Sequence, residues 1–218
     1  MSLARELVNS ASEPYRACGR FAYHFARGKL ARDPVFAAIL SRGLLSGRTR
    51  ILDLGCGQGL LAAWLLAAGS QAEICGIELV RRYVERAQRA WGGQAEFVTG
   101  DMRRTDFGSA DGGVILDVLH YIEYAEQRGI LERARAALIS DGVLLLRVGD
   151  AGSGLGFKMG KWIDQMTLLM TGRGFRQLHC RSVAGWRELL SAAGFDSEAI
   201  PMSAGTPFAN VLMIAKPR

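Results

Sequence analysis

The chain alternates short apolar runs with longer segments in which apolar residues recur at helical spacing. The runs at 114–116 and 143–146 are wholly apolar, which is typical of strands buried on both faces of a sheet. Strands that alternate with helices indicate a parallel sheet covered by helices. The pattern predicts strands at 50–54, 73–77, 95–99, 113–117, 142–148, 195–202 and 208–215, and helices at 13–31, 34–43, 60–68, 80–91, 123–139, 157–171 and 182–193.

The helix boundaries carry local signals. Ser12 is the expected N-cap of the first helix and Pro14 lies in its first turn, whereas Gly194 follows the last helix as a stop. The alternation breaks after residue 150 at a Gly- and Ser-rich stretch. We therefore expect one domain over 1–218. Its parts are an N-terminal helical cap (1–49), a core (50–150), a cap insertion (151–181) and a C-terminal helix with a strand pair joined by a hairpin (182–218).

The composition says more about the class of protein and its compartment than about its reaction. The 218 residues are 49% hydrophobic and 22% charged, which is ordinary for a globular protein. The four cysteines form no C-x-x-C pair and no cluster with metal-ligand spacing, so we expect a reducing compartment, the cytoplasm, and no bound metal. No apolar run approaches the length of a membrane-spanning helix, and the N-terminus lacks the order of a signal peptide.

Charge is unevenly distributed along the chain. The formal charge of +6 divides into +6 over 1–50, −4 over 51–150, +4 over 151–181 and zero over the remainder. Solvated helix faces explain such a pattern, and so does a basic rim around a site that receives an anionic substrate or surface.

A glycine-rich turn follows the first predicted strand. Residues 53–59 read D-L-G-C-G-Q-G, and the next strand ends in Glu78, 19 residues after Gly59. Glycines let a backbone turn sharply and approach a ligand, and a carboxylate at the end of the second strand can accept hydrogen bonds from ribose hydroxyls. Asp101 ends the third strand, where it could accept from an adenine amino group. The spacing G-x-G-x-G is neither the dinucleotide fingerprint nor a phosphate loop.

Taken in order, D-L-G-C-G-x-G, the acid at 78, G-D-M at 100–102 and L-D-V-L-H-Y at 116–121 resemble the class I S-adenosylmethionine-dependent methyltransferases. The resemblance implies S-adenosyl-L-methionine as cofactor and a Rossmann-like, mostly parallel α/β sheet of seven strands with an antiparallel last strand and helices on both faces. It also implies an enzyme. The implied cofactor-binding residues are Asp53, Gly55, Cys56, Gly57, Gly59, Glu78, Leu79, Asp101, Met102, Leu116 and Asp117.

The same resemblance suggests individual roles. Asp53 and the loop glycines would hold the methionine end, Glu78 the ribose, and Asp101 with Met102 the adenine. Leu116 and Asp117 would line the wall beside the sulfonium. We expect Cys56 to pack beneath the loop without doing chemistry.

The methyl acceptor is less determined. If the acceptor is a hydroxyl or an acidic carbon, a base assists, and the candidate catalytic residues are His120, Tyr121 and His24. The two cap segments are basic and rich in aromatic residues, which favours a small aromatic or acyl acceptor, including one presented on a carrier protein. Peripheral contact with an anionic membrane is a further reading of the same residues.

Several alternatives remain. The sequence after the fourth strand lacks the D/N/S-P-P-Y/F pattern of nucleic-acid amine methyltransferases, which argues against nucleic acid, although an RNA methyltransferase is the runner-up. A catechol-type metal site would use acids such as Asp117 and Asp150, but no Asn follows Asp150. A cofactor-binding partner protein without transfer activity is the non-enzyme alternative. The sequence does not give the oligomeric state.

Overall fold

The computed structural model describes residues 3–153, 177–205 and 209–218. The chain divides into two compact units, Met1–Val114 and Ile115–Arg218. The strands belong to one seven-stranded sheet with the order β3-β2-β1-β4-β5-β7-β6. In the first unit the elements are α1 (Leu3–Ser12), a 3₁₀ helix (Glu13–Cys18), α2 (Arg20–Arg32), α3 (Pro34–Ser41), β1 (Arg50–Leu54), α4 (Leu60–Ala67), β2 (Glu73–Glu78), α5 (Arg81–Trp91), β3 (Glu96–Thr99) and the start of β4 (Ala110–Leu116).

The second unit begins with the end of β4 and carries the antiparallel part of the sheet. Strand β7 pairs antiparallel with both β5 and β6, whereas β1 pairs parallel with β2 and β4. The fold class expected from the sequence is therefore confirmed, including the antiparallel last strand. After β4, the second unit contains a 3₁₀ helix (Leu119–Tyr121), α6 (Tyr124–Ala137), β5 (Leu138–Gly149), α7 (Val183–Ala192), β6 (Phe195–Pro201) and β7 (Asn210–Pro217).

Each unit has its own apolar core. In the first, nearly every residue of α4 is buried, and the Trp64 indole donates to the carbonyl of Phe36 at 2.8 Å, which ties α3 to α4. In the second, residues 144–146 are wholly buried together with Trp186 and Phe195. Such runs are expected of central strands that have no solvent-facing side.

The N-terminal segment differs from its prediction. The expected helix 13–31 is divided by Gly19, whose φ of +99° is incompatible with a helix, into a 3₁₀ helix and α2. Helix α1 was not expected, since its buried stripe of Val8, Ala11 and Ser12 is small and weakly apolar. Ser12 does not cap a helix as expected. Its hydroxyl donates back to the Val8 carbonyl at 2.7 Å, at the end of α1.

Smaller differences lie at strand ends. Strand β4 begins at Ala110 rather than at 113, through two glycines that lower strand propensity. Gly112 is suited to its place because a Cβ there would lie 3.2 Å from a Leu45 methyl and 3.3 Å from Ile51. The strand ends at Leu116, and β5 begins at Leu138, directly after α6. The predicted helix 157–171 lies outside the described residues, as do most of the 151–181 insertion and part of the hairpin link at 203–207.

The described ranges contain no helix that is long and apolar enough to cross a membrane.

Candidate cofactor site

The glycine-rich loop connects β1 to α4 in a conformation that side chains disfavour. Gly55, Gly57 and Gly59 have φ angles of +79°, +56° and +77°. A Cβ at Gly59 would lie 2.9 Å from the Phe97 ring, whereas a Cβ at Gly57 would meet open space. Gly59 is therefore needed for packing, and Gly57 leaves the loop open to a ligand.

Backbone hydrogen bonds fix this loop to β2. The amides of Gly55 and Cys56 both donate to the carbonyl of Ile77, at 2.7 and 3.2 Å. The Gly57 amide donates to Glu78 Oε2 at 3.1 Å, and the other Glu78 oxygen accepts from the Val80 amide at 2.8 Å. Glu78 thus joins the loop to the start of α5. A carboxylate offers about four lone pairs, so both oxygens retain acceptor capacity.

Asp53 is the buried charge of the site. Its exposed fraction is 3%, and its carboxylate accepts no hydrogen bond from the described residues. Burial, with a smaller contribution from the charge of Glu78, raises the pKa of Asp53 to about 7. A buried carboxylate without a protein partner is costly unless a cation or donor arrives to satisfy it.

Cys56 packs under the loop. Its side chain is buried, and a Cβ on Gly76 would lie 2.7 Å from its sulfur, so the strand below needs a glycine to admit the thiol. Burial and the nearby charges of Asp53 and Glu78 raise the pKa of the Cys56 thiol far above its ordinary value. The thiol therefore remains protonated.

The residues predicted to bind adenine differ in exposure and in their contacts. Leu79 is 58% exposed, whereas Met102 is buried. The Asp101 carboxylate is bound by the Arg103 guanidinium, with contacts of 2.6 to 3.0 Å, and accepts from the Arg103 amide at 3.0 Å. These contacts lower the pKa of Asp101. Arg103 thus binds the Asp101 carboxylate, and the role of Asp101 toward adenine stays a prediction.

In the second unit, the turn after β4 contains a buried ion pair. Arg147 is 2% exposed, and its guanidinium donates to both carboxylate oxygens of Asp117, with the Nε–Oδ1 distance at 2.8 Å. Asp117 has a φ of +57°, which is rare for a residue other than glycine. The backbone is strained where Asp117 follows Leu116, and the ion pair holds it there.

The candidate bases occupy different surroundings. His120 is 6% exposed, its ring centroid lies 4.2 Å from that of Tyr121, and its carbonyl accepts from the His179 amide at 2.8 Å. In the first unit, His24 is exposed on α2 and packs edge-on against Tyr23. His120 and Tyr121 are therefore brought together by one 3₁₀ helix, and His24 belongs to another element.

Sequence reasoning missed two buried polar residues. Tyr15 donates through its hydroxyl to the carbonyl of Gln58 in the glycine-rich loop. Gln127, wholly buried on α6, donates to the carbonyls of Leu119, Ile122 and His179. Both contacts join residues far apart in the chain, and no local pattern marks them.

No three His, Cys, Asp or Glu side chains converge as metal ligands would within the described part of the chain. The two acids considered for a metal have protein partners. Arg147 binds Asp117, and the amides of Gly152 and Val183 donate to Asp150 Oδ1.

Comparison with known proteins finds similarity to one family of enzymes. Residues 51–142 match the family model described as a methyltransferase domain. This match covers less than half of the chain, and it supports a class I S-adenosylmethionine-dependent methyltransferase. The methyltransferase fold is shared with human N-acetylserotonin methyltransferase, solved with S-adenosylmethionine. The two structures align with a TM-score of 0.68 at 20% identity, and the alignment covers 96% of this chain and 57% of that one.

Two further comparisons differ in how much of each chain is matched. This chain covers 98% of the magnesium protoporphyrin IX methyltransferase of Synechocystis PCC 6803, solved with S-adenosylhomocysteine, and 98% of this chain is matched, at 22% identity and a TM-score of 0.64. A curated relative from Nitratidesulfovibrio vulgaris (strain Hildenborough), described as an uncharacterized RNA methyltransferase, is 46% identical over 63 residues. Those residues are 27% of this chain and 13% of that protein.

S-adenosylmethionine is the cofactor of this family, and the residues present fit it. Its methionine end carries an ammonium, and Asp53 offers a buried carboxylate with no partner among the described residues. The loop at Gly57 is open where a side chain would otherwise stand.

Proposed function

We propose that this methyltransferase transfers the methyl group of S-adenosylmethionine to a small-molecule acceptor, aromatic or acyl, including one carried on a protein. The observation that supports cofactor binding is the buried carboxylate of Asp53 beside the glycine-rich loop, which has no hydrogen-bond partner among the described residues. Bound S-adenosylmethionine supplies an electrophilic methyl group on a sulfonium.

In this proposal, different residues of the first unit bind different parts of the cofactor. Asp53 neutralises the cofactor ammonium, and the loop from Gly55 to Gly59 receives the methionine end. Glu78 keeps its bonds to the Gly57 and Val80 amides and accepts from the ribose hydroxyls with its remaining lone pairs. Leu79 offers an exposed apolar surface to the adenine ring. Met102 and Asp101 flank the same ring, with Arg103 sharing the Asp101 carboxylate.

Catalysis in this proposal is mostly alignment. A methyl transfer needs its acceptor atom held about 3–3.5 Å from the carbon in line with the leaving sulfur, and water excluded. Leu116 and Asp117 are proposed to line the wall of the site beside the cofactor sulfonium. His120 is proposed to take the proton from a hydroxyl acceptor, with Tyr121 orienting its ring and His24 as the alternative base.

The acceptor class rests on similarity and on surface character. Structures that share the fold include the N-acetylserotonin methyltransferase, the magnesium protoporphyrin IX methyltransferase and mitomycin 7-O-methyltransferase, the last with a TM-score of 0.65 at 21% identity over 93% of this chain and 59% of that one. Their names describe small-molecule substrates. Exposed rings at Phe21 and Phe25, stacked 6.3 Å apart on α2, add an apolar surface that suits an aromatic or acyl group.

A cytoplasmic location belongs to the same proposal. All four cysteines are free thiols, the state that a reducing compartment maintains.

The test is the fate of a labelled methyl group. The protein is incubated with methyl-labelled S-adenosylmethionine and a cell extract, and products are separated into RNA, protein, lipid and small-molecule fractions. We expect label in the small-molecule or lipid fraction, or on an acyl carrier protein. Label in RNA would support the RNA alternative instead, and no label with normal cofactor binding would support a partner protein without transfer activity.

A matched pair of variants controls this assay. Gly57→Arg forces a side chain into a loop position with a φ of +56° and fills the open space there. Gly47→Arg makes the same change at a φ of +72°, also in open space, but in the turn before β1. We expect the label to disappear with Gly57→Arg and to persist with Gly47→Arg.

A further inference from the structure

The glycine-rich loop is held from upstream as well as from the sheet. Tyr15 lies in the 3₁₀ helix Glu13–Cys18 and is wholly buried. Its hydroxyl donates to the carbonyl of Gln58 at 2.7 Å, across 43 residues of chain. Gln58 lies between Gly57 and Gly59, two residues in the left-handed region, so this bond restrains the middle of the loop.

The other side of Gln58 is held by α5. Arg86 Nη1 approaches the Gln58 side-chain oxygen at 3.4 Å, and the Arg86 carbonyl accepts from the Cys18 thiol at 3.5 Å. Because Tyr15 and Cys18 belong to one short helix, that helix contacts the loop and α5 together. Gln58 is only 8% exposed, so its carbonyl has little water to replace a lost partner.

We propose that Tyr15 is a positioning residue of the cofactor site, whose hydrogen bond to Gln58 holds the glycine-rich loop in the conformation that receives S-adenosylmethionine. This inference rests on the proposed role of the loop in cofactor binding. It makes the N-terminal segment part of the cofactor site, although no motif of the sequence assigns it there.

The physical reason is pre-organisation. Three glycines at alternate positions give the loop a large conformational freedom, and any freedom that remains before binding is lost when the cofactor binds. A bond that already restricts the loop reduces that loss. Burial raises the pKa of Tyr15 well above its ordinary value, so its hydroxyl remains a donor.

The test compares two hydroxyl deletions in adjacent N-terminal helices, the 3₁₀ helix and α2. Tyr15→Phe removes the bond to the loop and keeps the buried ring. Tyr23→Phe is the control, since the Tyr23 ring is also buried, lies beneath the Arg16 guanidinium at 4.0 Å, and has no hydrogen bond to the loop within the described part of the chain. The probe is S-adenosylmethionine itself, titrated by calorimetry into each full-length protein, with urea unfolding measured in parallel.

We expect Tyr15→Phe to raise the Kd for S-adenosylmethionine about 3- to 10-fold, as loss of one hydrogen bond does, with Tyr23→Phe near the wild-type value. Amide hydrogen exchange over residues 55–60 should be faster in Tyr15→Phe before the cofactor is added. A purely structural role would lower the urea midpoint of both variants without separating their Kd values.

Two results would overturn the inference, and they differ from failure of the proposed function. An unchanged Kd in Tyr15→Phe, or an equal rise in both variants, removes Tyr15 from the cofactor site while the wild-type protein still binds. Failure of the wild-type protein to bind S-adenosylmethionine would instead overturn the proposed function, and this inference with it.

Discussion

The Glu78 carboxylate accepts a hydrogen bond from the Gly57 amide at 3.1 Å and so joins the end of β2 to the glycine-rich loop. Its second oxygen accepts from the Val80 amide at 2.8 Å, at the start of α5. One side chain therefore orders the loop and retains lone pairs for a ligand. Removing the Glu78 side chain should therefore disorder the glycine-rich loop and remove contacts to the ligand.

Glu78→Ala should weaken S-adenosylmethionine binding by about 1–3 kcal/mol, because a charged hydrogen-bond partner is lost. Isothermal titration measures this loss directly. Glu96→Ala is the matched control, an exposed glutamate on the neighbouring strand β3. Equal affinities for wild type and Glu78→Ala would remove Glu78 from the site.

Asp53 should lower the stability of the cofactor-free protein as pH rises. Its pKa is about 7 in the fold against an ordinary value of 3.8, so the folded state binds the extra proton between those values. The penalty is absent below about pH 4 and complete above about pH 7, where it amounts to as much as about 4 kcal/mol. Asp53→Asn should therefore be more stable than wild type at pH 8 and equal to it at pH 4.

Urea midpoints of the two proteins across this range provide the measurement. The difference between the two curves is the relevant quantity, since carboxylates with a lowered pKa, such as Asp101 and Asp111, change both proteins alike. A constant difference with pH would contradict the raised pKa of Asp53.

Asp117→Asn should destabilise the protein strongly, since it leaves the buried Arg147 guanidinium without its carboxylate. Loss of one partner of a buried pair costs about 3–5 kcal/mol, and the lower end applies because Asp117 is 32% exposed. Asp117→Gly loses the same pair but relieves the φ of +57°.

We therefore expect Asp117→Gly to be more stable than Asp117→Asn by about 1 kcal/mol. Thermal or urea unfolding of the two variants decides this. If Asp117→Gly is the less stable of the two, the backbone at this position is not strained.

Gln127→Leu should cost about 2–3 kcal/mol of unfolding free energy. The Gln127 side-chain nitrogen donates to three carbonyls, and its oxygen accepts from Arg181 Nε at 2.8 Å, so the variant removes all of these hydrogen bonds at once. Gln88→Leu is the control. Gln88 is exposed and bonds one carbonyl, that of Phe97, so its loss should cost less than about 1 kcal/mol. Similar urea midpoints for both variants would contradict the role of Gln127.

The strands and the order of the motif residues could be predicted because their signals are local. Apolar runs such as 143–146 and the glycine spacing at 55–59 determine their own structure, and the predicted strand ends lie within a few residues of those observed. The positions of Asp53 and Glu78 near the ends of β1 and β2 could be predicted from the same strand assignments. Gly19 was not recognised as a break because nothing near it in the sequence distinguishes a positive φ from an ordinary helical glycine.

The rest of the site depends on contacts that the sequence does not display. Tyr15 reads as one more aromatic residue in an apolar helix, yet its hydroxyl bonds a carbonyl 43 residues away. Gln127 reads as a solvated helix position and is wholly buried. The bond between Arg103 and Asp101 likewise depends on the path of the turn after β3. Long-range geometry of this kind becomes visible only in the folded chain.

Titration of S-adenosylmethionine into wild type and Asp53→Asn at pH 8 and pH 6 tests the central claim most directly. With a pKa of about 7, Asp53 is mostly ionised at pH 8 and mostly protonated at pH 6, so wild-type affinity should fall roughly tenfold between them. Asp53→Asn should bind more weakly at pH 8 and lose this pH dependence, whereas Asp196→Asn, a change at an exposed carboxylate, should match wild type. Wild-type affinity and pH dependence in Asp53→Asn would show that the buried carboxylate does not hold the cofactor.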